Sequence, residues 1–230
     1  MTPLLLAAVS IALVHTLIGV DHYLPFVVLG RARGWSFAKV MGITALCGVG
    51  HCLGSLVLGF VGIGLGVAVG ELEWIEGVRG SLAAWSLIAF GLIYMSWGLV
   101  RLAREHRHSH AHAHEDGTLH LHEHKHRKEH LHPHAGKVLT VWTVFIVFVL
   151  GPCEPLIPLL MAPAWEHDWT LVAAVGGLFA GTTILTMMGA VAVGFLGLRL
   201  PVFDGIERYA NVLAGAAIAA SGLAIQVLGI

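Results

Sequence analysis

The sequence predicts an all-α integral membrane protein of six transmembrane helices, arranged as a three-plus-three inverted repeat in which helices one and four are broken. Three observations predict it. Hydrophobic residues make up 57% of the 230-residue chain and charged residues only 12%, where a soluble domain carries about 25%. Six long apolar stretches are separated by short polar or charged breaks, and a spanning helix needs about 20 such residues. A Gly/Pro-interrupted segment then recurs in the first helix of each half. Membrane β-barrels read as strands of roughly 10 residues with alternating hydrophobicity, so continuous apolar runs exclude them.

The first stretch, 2–30, has no basic residue before Arg31 and runs on through His15, so it reads as a retained helix rather than a cleaved leader. It is interrupted from Gly19 to Pro25 as Gly-Val-Asp-His-Tyr-Leu-Pro. The second, 37–69, carries Cys47, His51 and Cys52 and ends on Gly62, Gly66 and Gly70, a small-residue ladder that reads as a helix-packing or oligomer face. The third is 81–100, and the fourth, 138–163, is interrupted from Gly151 to Pro158 as Gly-Pro-Cys-Glu-Pro-Leu-Ile-Pro. In the fifth, 171–197, Thr182, Thr183, Thr186, Met187 and Met188 hold the position that His51 holds in the other half; the sixth is 205–230. The chain thus divides into a first membrane repeat (1–100), a histidine-rich loop (101–137) and a second membrane repeat (138–230).

An odd number of spans per half makes any repeat inverted, and paired Gly/Pro breaks near the midplane mark the substrate site of many such carriers. Proline removes a backbone donor and clashes with the preceding turn. In lipid, the carbonyls so freed need protein, water or a bound ion as partners.

Lysine and arginine in short loops set orientation. Arg31, Arg33 and Lys39 follow the first span; Arg101, Arg104, Arg107, Lys125, Arg127, Lys128 and Lys137 follow the third; Arg199 and Arg208 follow the fifth. These are twelve of the thirteen basic residues, and Arg79 alone falls opposite, with Glu71, Glu73, Glu76, Glu166 and Asp168. The expected topology is a multi-pass protein of the cell's inner (plasma) membrane with both termini outside and the 101–137 loop cytoplasmic.

Ionisable groups at membrane depth are costly and mark function. His15, Asp21 and His22 lie in the first span, His51 near the centre of the second, and Cys153 and Glu154 in the second break. Seven residues separate His15 from His22, about 10 Å along a straight helix, so sharing one ion requires the chain to unwind at Gly19. Imidazole suits nickel, cobalt, copper and zinc, whereas magnesium and calcium prefer oxygen alone. The three cysteines all fall within spans, which excludes a secreted disulfide framework and leaves them as ligands or packing. Glu154 reads as a ligand, a proton carrier or a salt-bridge partner. Twelve of the sixteen histidines crowd the loop between His106 and His134, a composition that binds late first-row metals, zinc included, without a fold.

The segment His15-Thr-Leu-Ile-Gly-Val-Asp-His22, followed by Tyr-Leu-Pro-Phe, resembles the signature of the HupE/UreJ nickel permeases. The chain is also similar to the NicO/UreH-like groups of the nickel/cobalt transporter superfamily, and Gly151-Pro152-Cys153-Glu154 resembles the Gly-Pro-Cys breaks of CcdA/LysE-type transporters. The resemblance implies transmembrane transport of Ni2+ or Co2+, with His15, Asp21 and His22 in the nickel site. Threonine follows His15 where the permeases usually have proline, and histidine-rich central loops are more familiar in efflux proteins, so import and efflux both stand.

Two alternatives remain at this level. One is a CcdA-like thiol-disulfide electron carrier using Cys153, which needs a second thiol in reach. The other is a membrane metalloenzyme, for which no compact HExxH box exists within the spans. The expectation is therefore a transporter and not an enzyme, without a prosthetic group, whose partners are a divalent metal ion, the bilayer and a homo-oligomeric copy, with no nucleic acid.

Overall fold

The computed structural model describes residues 2–105, 112, 113, 119, 120, 134–197 and 208–228. Most of the histidine-rich loop, with all its histidines except His112, His120 and His134, and the stretch 198–207 lie outside the described residues. Among the described residues eight α-helices carry the fold: α1 (Thr2–Ile18), α2 (Leu24–Ala32), α3 (Phe37–Leu65), α4 (Val69–Glu105), α5 (His134–Leu150), α6 (Leu156–Trp165), α7 (Trp169–Gly197) and α8 (Ala210–Leu228). A single 3-10 turn, Val20–His22, joins α1 to α2. In the loop, His112–Ala113 and Leu119–His120 form two short antiparallel strands.

Among the described residues four helices, α3, α4, α7 and α8, are long and apolar enough to cross a membrane, and α1 with its continuation, bent by 82°, makes a fifth if the bent pair is counted as one span. Their outer faces are apolar: Ile93, Leu185 and Val193 are 70%, 71% and 75% exposed, which lipid tolerates and water does not. Trp165 and Trp169, exposed at the α6–α7 turn, sit where interfacial aromatics anchor spans. The chain is a multi-pass, all-helical membrane protein.

Helix ends follow local chemistry. The Ser36 hydroxyl accepts from the Lys39 amide at 3.3 Å to cap α3, and Asp168 does the same for the Leu171 amide at 2.9 Å to start α7. Gly66 ends α3 in the left-handed region at φ 67°, where glycine alone carries no steric cost.

A constant offset relates the boundaries of the two halves. Adding 132 (134 − 2) to α1 gives α5, and the same step (169 − 37) carries α3 onto α7, both 29 residues long. It also maps Gly19 to Gly151, Leu24 at the start of α2 to Leu156 at the start of α6, and capping Ser36 to capping Asp168. Packing follows the same exchange: α1 lies on α7 while α5 lies on α3, α2 touches α7 while α6 touches α3, and α3 pairs with α7 as α4 pairs with α8.

Two expectations change here. The break placed between the second and third spans is helical, because α4 already begins at Val69, and Glu76 and Arg79 lie three residues apart inside it as an ion pair. Charges that neutralise each other can be buried, so this pair does not mark a loop. The ladder Gly62, Gly66, Gly70 packs at one of its three positions: Gly62 lies against Leu72 of α4, whereas Gly66 is the α3 cap and, among the described residues, no atom lies within 4 Å of a Cβ placed at Gly66 or Gly70.

The tight seam lies instead between α4 and α8. A Cβ at Gly215 would strike the Met95 backbone, one at Gly91 would strike Gly215 and Ala219, and one at Gly222 would reach the Ala84 carbonyl at 2.6 Å. Gly215→Val is expected to cost about 1–3 kcal/mol, the range for overpacking, read as a lowered thermal midpoint in detergent. Gly177→Ala, with open space around the added methyl, serves as the unaffected control.

Candidate metal centre

At the first break, α1 stops at Ile18 and the chain turns through Val20–His22. Gly19 is required there because a Cβ would lie 2.5 Å from His22 Nδ1. The Tyr23 hydroxyl donates to the Leu17 carbonyl at 3.3 Å, and Pro25 restarts the helix in the first turn of α2, where its missing N–H costs little. Unwinding carries His22 back beside His15, with ring centroids 4.9 Å apart, about half the straight-helix separation. On the far side of His22 stands His51 from α3, its ring 5.0 Å away.

The proton positions follow from the partners. His22 Nδ1 lies 3.0 Å from the Gly19 carbonyl and 3.2 Å from Asp21 Oδ1. Both are acceptors, so Nδ1 carries the hydrogen and Nε2 presents its lone pair. His51 Nδ1 faces the Phe148 carbonyl at 3.3 Å and takes the same tautomer. Backbone carbonyls and carboxylates orient metal-binding histidines in this way. Nε2 of His15, His22 and His51 is buried in each case without a hydrogen-bond partner, an arrangement costly enough to need an explanation.

The second break is built differently. Gly151 lets the His51 ring approach, since a Cβ there would lie 3.1 Å from Nδ1. Arg79 of α4 donates to the Val149 carbonyl at 2.9 Å and to the Gly151 carbonyl at 3.3 Å, serving the groups that the break frees. Its charge is met by Glu76, which is 0% exposed. Glu76 Oε2 in turn accepts from the Ser55 hydroxyl at 3.1 Å and from the Cys153 amide at 3.1 Å. Ser55 Oγ accepts from the same amide at 3.2 Å, so Cys153 is held from both sides.

Of the residues that the sequence singles out, His15, His51 and Cys153 place one ligand atom each within 4.8 Å of one another. His22 lies between the two other imidazoles, and Asp21 stands behind it as its Nδ1 partner. Asp21 and His51 also line a small void of about 20 Å³, enough for one water-sized occupant. Glu154 does not join this group. It lines a cavity of about 640 Å³ together with His15, Gly19, Ser81, Pro155 and Gln226. Cys47 packs in the apolar core, whereas the Cys52 thiol faces that of Cys153.

Sequence reasoning missed the Glu76–Arg79–Ser55 clamp. Its signal was present: an acid and a base three apart beside Gly77 and Gly80, with Gly80 flat against Pro152. Comparison with family models, curated proteins and solved structures returns no match.

Proposed function

We propose that this protein carries a divalent transition metal ion, Ni2+ or Co2+, across the membrane through the His15–His22–His51 cluster. The observation that carries the reading is a group of three neighbouring imidazoles, with ring centroids 4.9 and 5.0 Å apart, each with a buried Nε2 that has no partner among the described residues, two of them held in the ligand tautomer by acceptors on Nδ1. Such a group replaces the water shell of a cation. The constant offset between the halves and the exchange of packing partners support a six-span inverted repeat, with α1–α2 and α5–α6 as the two broken spans. In that repeat His51 and Thr183 take equivalent places (183 − 51 = 132). The burial of Arg79 with Glu76 removes the one exception to the charge asymmetry, which supports termini outside and a cytoplasmic histidine-rich loop. The likeness of His15 through His22 to the HupE/UreJ signature points the same way.

Radiolabelled nickel and cobalt flux into vesicles of defined orientation, with zinc as competitor, tests the reading and gives the direction. No flux of either ion in either orientation sinks it. Deletion of residues 106–134 is expected to shift apparent affinity while leaving flux measurable, because a flexible histidine tract buffers metal outside the membrane path.

One observation favours a second reading. Cys52 and Cys153 face each other as free thiols, the pair that a thiol-disulfide electron carrier needs. Electron transfer lost when all three cysteines become serine, with no metal flux in the unmodified protein, would decide for it.

A further inference from the structure

We infer that Cys153 is a direct ligand of the transported ion, so that the cargo meets a thiolate as well as the imidazoles of the cluster and belongs to the thiophilic divalent class. This rests on the metal-carrier reading above and narrows its substrate.

Geometry comes first. The ligand atoms of His15, His51 and Cys153 lie within 4.8 Å of one another and come from α1, α3 and the second break. A tetrahedral ion with bonds of about 2.0–2.3 Å spaces its ligands by about 3.3–3.8 Å, so closure needs movement of only about 1 Å. His51 is 2% exposed with an unpartnered Nε2, and Cys153 is fully buried.

The placement of Cys153 is also over-determined. Its amide is gripped by Glu76 and Ser55, and the carbonyls just before it are gripped by Arg79. Three side chains thus make four hydrogen bonds to the backbone at Val149, Gly151 and Cys153. By the constant offset, Cys153 stands where Asp21 stands in the first break (153 − 21 = 132), and Glu154 stands where His22 does. Each break therefore brings an anionic group to the same cluster, Asp21 behind His22 and Cys153 beside His15 and His51.

Charge balance agrees. A thiol bound to a metal gives up its proton, here to the water of the cavity that His15 lines, and the sulfur–metal bond forms in its place. Thiolate and Asp21 carboxylate together offset a divalent charge, while Glu76 and Arg79 cancel each other. Buried charge is tolerated only when matched in this way. Thiolate donors favour zinc, cadmium, nickel and cobalt over manganese and magnesium.

The test uses the full-length protein in detergent, titrated with Co2+ alone. The loop contains no cysteine, so its histidines contribute no sulfur signal. A thiolate-to-cobalt charge-transfer band is expected in the unmodified protein and in Cys47→Ser, and is expected to vanish in Cys153→Ser while the cobalt d–d bands persist. In vesicles, the preference for cadmium over manganese as competitor should shrink by about tenfold or more in Cys153→Ser. Cys153→His, which restores a nitrogen donor, should recover flux without the band and guards against a variant that merely fails to fold. A band that survives Cys153→Ser, or its absence from unmodified protein that transports cobalt, overturns the thiolate assignment and leaves the carrier reading standing. Absence of flux for every ion overturns the carrier reading, whatever the spectrum shows.

Discussion

His22→Ala is expected to reduce nickel and cobalt flux by about 100-fold or more while leaving membrane insertion intact. The ring of His22 packs edge-on against those of both His15 and His51, at 4.9 and 5.0 Å. Removing it deletes a donor, leaves the Asp21 carboxylate without its imidazole partner, and opens a gap between two other ligands. Losing only an orienting partner typically costs 10–100-fold in metal affinity, so loss of the central imidazole should cost at least as much. Vesicle flux, normalised to protein recovered in the membrane fraction, is the readout. Flux within twofold of the unmodified protein would overturn the assignment.

The second large effect is on stability. Arg79→Ala is expected to destabilise the protein by about 3–5 kcal/mol, the cost of leaving one member of a buried pair without its partner. Glu76 is 0% exposed and would keep an uncompensated charge, while the Val149 and Gly151 carbonyls would lose their donor. A lowered thermal midpoint in detergent reads this out. The double variant Glu76→Leu/Arg79→Met removes both charges at similar volume and should recover much of the midpoint, since apolar replacement of a whole buried pair is often neutral. It should not recover flux, because the Cys153 amide loses its Glu76 acceptor. A single variant that melts like the unmodified protein would show the clamp to be idle.

Helical content, the long apolar spans and both interruptions were legible because lipid imposes a simple demand on composition and proline has a simple effect on backbone. Unwinding at Gly19 was legible for the same reason, as His15 and His22 are two turns apart with a glycine between them. The role of Asp21 was only half legible: an acid beside a histidine reads as a second ligand, yet its carboxylate faces Nδ1 of His22. That choice between ring nitrogens depends on local turn geometry that no spacing encodes. Glu76 and Arg79 were misread as loop residues because a one-dimensional charge count cannot see that the two neutralise each other inside α4. The α4–α8 seam was hidden because its glycines lie more than a hundred residues apart along the chain, whereas of the closely spaced Gly62, Gly66 and Gly70 only Gly62 meets a neighbouring helix.

That seam bears on how the molecule moves. Where two helices meet main chain to main chain, no rotamer can swing aside to let one slide past the other, and even a small displacement brings atoms into collision. The crossing of α4 and α8 therefore stands as a fixed post, against which the two broken segments at Gly19 and Gly151 are set.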